Sequence, residues 1–208
     1  MINNYNKIAK HYDFLSRLVF GQSQVIAQKN QLKYIKDNST ILIVGGGTGW
    51  ILTEIAQLHS TGLKITFVEI SSKMIELSMN RDRGSNQVTF ITSRIEDFHS
   101  DERFDVIFTP FLFDNFSEDR CVQVFNQLNH NLNKNGLWLF VDFTIASTGS
   151  NWWKKLFLKA MYAFFKIICN VEARKLINLQ PYFINENYKK LEERFYYQHF
   201  IKAIVYQK

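Results

Sequence analysis

A chain of 208 residues, 46% apolar and 21% charged, suits one globular domain with a sizeable core and excludes wholesale disorder. Its net charge of +6 is uneven: residues 1–149 carry 14 basic and 15 acidic side chains, residues 150–208 carry 11 and 4. The basic end reads either as a solvated face or as attraction to an anionic partner such as acidic lipid, nucleic acid or a charged substrate. Cys121 and Cys169 fall in apolar helical patterns and read as small buried hydrophobes, not as a disulfide or metal pair.

The N-terminus has Lys7, Lys10 and Asp13 with no apolar run behind them, so no signal peptide is visible and a cytoplasmic protein is expected. Tyr5, Ile8, Tyr12, Leu15, Leu18 and Val19 recur at helical spacing and predict one or two short helices. A second helix is expected over 22–36, with Val25, Ile26, Leu32 and Ile35 turned inward. Alternation then sets in. Strands are predicted at 40–44, 63–69, 87–91, 104–109 and 136–143, and helices at 48–59, 71–81 and 118–132. That rhythm means right-handed crossovers and an α/β fold whose parallel sheet is covered on both faces. Residues 192–207 read as two more strands joined in a hairpin. The chain thus divides into a helical segment (1–36), a ligand-binding core (37–149), a variable helical insertion (150–190) and a C-terminal hairpin (191–208), all in one domain.

The centre of this pattern is I-L-I-V-G-G-G-T-G-W, residues 41–50, a buried strand running into a glycine turn and an amphipathic helix. Amides bared by glycine, with a helix N-terminus behind them, form a cradle for a polar or anionic group. The spacing is not G-x-G-x-x-G, because the third glycine would fall at Trp50, and no lysine follows to make a Walker loop. What stands is Gly45, Gly47 and Gly49. Twenty residues on, K-I-T-F-V ends in Glu69, placed to take the two hydroxyls of a ribose. Ligands in such sheets sit at the carboxyl ends of the strands, where Gly45, Glu69, Ser93, Thr109 and Asp142 all fall.

These residues resemble the class I S-adenosylmethionine-dependent methyltransferases. I-V-G-G-G-T-G is similar to the family's first motif, F-V-E-I-S-S-K-M-I to its second, F-D-V-I-F-T-P-F-L-F-D to its fourth and L-N-K-N-G-L-W-L-F-V-D-F to its last common strand. The opening Y-N-K-I-A-K-H-Y-D resembles the ubiquinone and menaquinone C-methyltransferase-like group. The resemblance implies a Rossmann-like, doubly wound, seven-stranded sheet, mostly parallel with an antiparallel last strand. It implies S-adenosylmethionine as cofactor, held by Gly45, Gly46, Gly47 and Gly49, with Glu69 on the ribose and Ile70 and Met74 over the adenine. Tyr5 or Tyr12 would face the methionine end, and Thr109 and Phe111 would border the site.

Two positions depart from the family pattern. The usual glycine–acid–alanine turn around the adenine amino group is Ser93, Arg94 and Ile95 here. The amide of Ile95 can still meet a ring nitrogen, while the amino group is left to Glu96 or Asp97. The acid common two residues before the first glycine is Ile43, which removes a partner for the methionine amine. The fourth motif, T-P-F-L-F-D-N-F, is not the N/D-P-P-Y of amine- and adenine-modifying relatives, so there is no strong nucleic-acid signal. His11, Asp114 and Asp142 are candidate proton acceptors, yet no catalytic residue declares itself, and no ligand spacing for a metal is present.

Residues 152–168 place Trp153, Leu156, Phe157, Ala160, Met161, Phe164 and Ile168 on one helical face, with Lys155, Lys159 and Lys166 off it. Four lysines exclude a membrane span. The stretch is read as a lid over a small, apolar acceptor, facing Phe111, Phe113 and Phe116. A core helix and a helix lying on an anionic membrane surface are the alternatives. For the whole chain, a non-catalytic cofactor binder and an RNA or protein methyltransferase using the basic third stand beside the small-molecule enzyme.

Overall fold

The computed structural model describes residues 6, 8–144, 152, 154, 156, 158–159, 173 and 175–208. Two helices, α1 (Tyr12–Phe20) and α2 (Ser23–Lys29), precede the sheet. The alternating unit follows as β1 (Thr40–Val44), α3 (Trp50–Leu58), β2 (Thr61–Glu69), α4 (Ser72–Met79), β3 (Ser85–Thr92), β4 (Phe104–Pro110), α5 (Glu118–Asn131) and β5 (Leu132–Phe143). A short helix α6 (Gln180–Asn185) and the strands β6 (Lys189–Tyr196) and β7 (Ile201–Gln207) complete it. The sheet order is β3-β2-β1-β4-β5-β7-β6, with β1 to β5 mutually parallel and β7 antiparallel to both its neighbours.

Strand alternation divides the core between two faces. Ile41 and Ile43 of β1 join Ile51 and Ile55 of α3, Phe67 and Phe108 in one cluster. Leu42 and Val44 join Phe125 and Leu128 of α5, Trp138 and Phe183 in the other. The second cluster is aromatic. Trp138 stacks on Phe125 at 5.2 Å and 17°, and Phe183 lies on Tyr206 at 3.9 Å and 9°, so α5, α6 and β7 are fastened to one another. Cys121 is buried in this cluster, as expected, while Cys169 lies outside the described residues.

Two expected helices come out differently. The run over 22–36 breaks after Lys29, and a 3₁₀ turn at Leu32–Tyr34 replaces its second half. Between them Gln31, almost fully buried, donates its Nε2 to the carbonyls of Phe140 and Ile204 on paired strands, which a continuous helix could not do. The inward face of α2 is polar: Gln24, Ala27 and Gln28 are buried, and Ile26 is 45% exposed. On α1, likewise, Leu18 and Val19 face out and Phe20 takes the core position.

In the insertion, Trp152, Lys154, Leu156, Leu158 and Lys159 are helical. Leu158 packs in the cluster of Phe20, Phe143 and Phe200, so Lys154, one turn earlier, is drawn in with it. Leu156 is therefore 61% exposed, not inward as its spacing suggested. The rest of the expected lid face, Trp153, Phe157, Ala160, Met161, Phe164 and Ile168, lies outside the described residues, as does Tyr5. Among the described residues, no helix is long and apolar enough to cross a membrane.

Candidate functional site

At the carboxyl edge of β1, β2 and β4 a cleft of ≈ 1090 Å³, open mouth included, is roofed by α1 and α2. The glycine turn forms its floor. Gly47 has φ +59 and open space where a side chain would stand, so the backbone of the turn is open to the cleft there. Gly49 serves packing instead. It caps α3 at φ +71, and a Cβ there would lie 2.4 Å from Ser78 Cβ of α4. Gly49→Ala should cost about 2–4 kcal/mol of stability, from left-handed strain and overpacking together. Urea unfolding that shows no loss would contradict this placement.

Glu69 is the buried acid of the site. One carboxylate oxygen accepts from Gly47 N at 3.2 Å and the other from Ser71 N at 3.0 Å, which leaves a free lone pair on each. Burial pushes its pKa up, against the backbone amides of Ser71, Gly47 and Ile70. Ile70 and Met74, beyond it, face Ile95 and Leu112 across an apolar slot. Ile95 opens a 3₁₀ turn, Ile95–Asp97, whose carbonyl end is held by Gln127 Nε2.

At the edge of that slot stand Arg94 and Arg120. Both bind Glu96: Arg94 Nη2 at 3.2 Å, and Arg120 with two nitrogens while lying 4.1 Å over the Phe116 ring. Burial alone would raise the Glu96 carboxyl, but the Arg120 and Arg94 bonds outweigh it and hold it low. Glu96 is thus consumed by its ion pairs and does not line the cleft.

On the far side of the glycine turn, α1 contributes Asp13. Both of its oxygens lie 2.8 Å from Thr48 Oγ1, and Arg81 Nη2 holds it at 2.9 Å. A single carboxylate ties the N-terminal helix to the turn and to the end of α4. Among the residues lining the cleft is Asp13 itself. Beyond it the wall is made by Tyr12, Ser16 and Arg17 of α1, Gln24, Val25 and Gln28 of α2, Trp50 and Phe111.

Of the expected cofactor residues, Tyr12, Gly45, Gly46, Gly47, Glu69, Ile70, Met74, Arg94, Ile95 and Phe111 meet in this one cleft. Gly49, Glu96 and Thr109 do not line it. Thr109 is wholly buried, and its hydroxyl accepts from Trp138 Nε1 at 2.9 Å, because strand alternation turns it into the second core. Phe113, expected on the acceptor wall, is buried in that core too, while Phe111 and Phe116 do face the cleft.

None of the candidate proton acceptors lines it either. His11 is exposed outside it. Asp114 and Asp142 lie buried beneath the turn that follows β4. Burial pushes Asp142 up to about 7, against the backbone amides of Phe143, Asp114 and Phe113. Burial, and then the Asp142 charge, drives Asp114 well above the ordinary range. The same surroundings push the Cys121 thiol up to about 12. The pair therefore acts from below, gripping the turn that carries Phe111 and Asn115 to the cleft. Phe111 is held at φ +51 by its amide on Val141 O at 2.7 Å. Among the described residues, no group of three His, Cys, Asp or Glu side chains could hold a metal ion.

Residues 41–136 match the model of a methyltransferase domain. The chain is 31% identical over 113 residues to the ubiquinone/menaquinone biosynthesis C-methyltransferase UbiE of Geotalea daltonii. That alignment takes in 51% of this chain and 48% of the relative, so the chain spans about half the length of that protein. Among solved structures, the DhpI–SAM–HEP complex superposes with a TM-score of 0.68 at 14% identity, covering 98% of this chain and 94% of that one. The Burkholderia thailandensis 1,6-didemethyltoxoflavin-N1-methyltransferase, solved with S-adenosylhomocysteine, gives 0.65 at 12%, covering 97% and 88%. Residues 41–136 thus match a methyltransferase domain, and the glycine turn, the acid ending β2 and this strand order are similar to those of the class I S-adenosylmethionine-dependent methyltransferases.

Proposed function

We propose that the protein is an S-adenosylmethionine-dependent methyltransferase acting on a small acceptor with a largely apolar body. The observation that carries this is the buried Glu69 carboxylate, held by the Gly47 amide of the glycine turn at the floor of an open cleft. A buried acid with a free lone pair on each oxygen suits two vicinal hydroxyls, and the Ile70–Met74 slot beside it suits a flat base. The cofactor supplies a methyl group on a sulfonium, which passes to a nucleophile of the acceptor and leaves a neutral thioether.

The chain's own part is to bind, orient and exclude water. Among the described residues the cleft is lined by two carboxylates, Glu69 and Asp13, and both are engaged in hydrogen bonds. No histidine, lysine or cysteine is among its described lining residues. Catalysis then rests on in-line positioning between Phe111, Tyr12 and the glycine turn, with desolvation by the α1–α2 roof. Calorimetry with S-adenosylhomocysteine tests the reading, with micromolar or tighter binding expected. NADH binding in place of S-adenosylhomocysteine would overturn it.

A further inference from the structure

The far wall of the cleft is not the apolar chamber that the aromatic content suggests. Gln24 and Gln28 stand one turn apart on α2, 9% and 6% exposed, and both line the cleft. Their amides are half used. Gln24 Oε1 accepts from Ser16 Oγ, and Gln28 Nε2 donates to Gln24 O at 3.2 Å. Among the described residues, Gln24 Nε2 and Gln28 Oε1 have no hydrogen-bond partner. Neither atom is sealed from solvent in the open cleft, and an apolar acceptor would desolvate both without compensation. Arg17, on the same wall, forms no ion pair among the described residues. Val25, Trp50 and Phe111 complete the chamber with flat apolar surface.

We infer that the acceptor is a planar molecule bearing a carbonyl or carboxylate oxygen beside a hydroxyl or N–H, its edge read by Gln24, Gln28 and Arg17. The oxygen accepts from Gln24 Nε2, the hydroxyl donates to Gln28 Oε1, and Arg17 favours an acidic edge. The inference rests on the reading of this cleft as a methyltransferase site. It replaces a generally apolar acceptor with one of defined hydrogen-bonding pattern. It also accounts for the polar inner face of α2.

The test uses protein saturated with S-adenosylhomocysteine and three probes: 3-hydroxy-2-naphthoate, 2-naphthoate and 2-naphthol. The first carries both groups and each of the others lacks one. Calorimetry should find 3-hydroxy-2-naphthoate bound about two- to tenfold more tightly than either of the others, the range for one net hydrogen bond. Gln28→Leu should erase its advantage over 2-naphthoate, and Gln24→Leu its advantage over 2-naphthol. Arg17→Gln, on an exposed side chain that folding does not need, should weaken both carboxylates and spare 2-naphthol. A wild-type protein that binds S-adenosylhomocysteine but none of the probes, or binds them without preference, overturns the inference alone. Preferences that persist in all three variants do the same. A protein that fails to bind S-adenosylhomocysteine refutes the methyltransferase reading and this inference with it.

Discussion

Asp114→Asn should flatten the pH dependence of stability and raise stability at pH 8. Asp142 accepts the amides of Phe113 and Asp114, with that of Phe143 at 2.7 Å, while the Asp114 carboxyl lies beside it with no solvent to spread a second charge. Both acids hold protons in the folded protein that the unfolded chain would release near pH 4. Folded-state values raised in this way give stability that is complete below the unfolded pKa and is lost as pH rises through the folded one. For Asp142 that window runs from about pH 4 to about pH 7. At ~1.4 kcal/mol per pKa unit, the loss from Asp142 alone should be at most about 4 kcal/mol. Asparagine at 114 removes the repulsion and can still accept from Asn115 Nδ2. Urea unfolding at pH 5 and pH 8 checks the prediction, and an unchanged difference in the variant would contradict it. Glu96, Asp105 and Glu192, all held below their ordinary values, act in a separate window, losing their contribution as pH falls below about 4.5.

Glu69→Ala should weaken S-adenosylhomocysteine binding by about 1.5–3 kcal/mol, the range for hydrogen bonds to a charged group. That is roughly tenfold to a hundredfold in Kd. Because burial raises the Glu69 pKa, affinity in the wild type should also fall on acidification sooner than an ordinary glutamate would make it. The alanine variant should lose that pH dependence. Calorimetry from pH 5 to pH 8 reads both effects, and equal affinity in a folded variant would remove Glu69 from the site.

The sheet was legible because its signals are local. Each strand from β1 to β5 is a short apolar run bounded by glycines or polar turns, and the predicted ends fall within a few residues of those observed. The glycine turn and Glu69 were legible because spacing alone joins them. The roof of the cleft was not. In α2 the inward face carries Gln24 and Gln28, so reading apolar periodicity turned Ile26 the wrong way. The pair Gln24 and Gln28, four apart on a helix, was the visible signal for a polar chamber. Asp13 meets Thr48 and Arg81 across 35 and 68 residues, and Arg120 meets Glu96 across 24, contacts that no local pattern encodes. Thr109 shows the opposite failure: it stands at the right edge of the sheet, but its alternation points it at Trp138.

The place of β7 bears on how the molecule is made. It is the last strand in sequence, yet it lies between β5 and β6, hydrogen-bonded to both. A growing polypeptide therefore presents β5 as a bare apolar edge until residues 201–207 have left the ribosome, and β6 cannot take its seat before them. Bare edges of this kind invite pairing between nascent chains. Ribosome pausing ahead of residue 201, or a stop codon there, should leave material that depends on chaperones and collects in inclusion bodies, even though every described residue lining the cleft has already been synthesised.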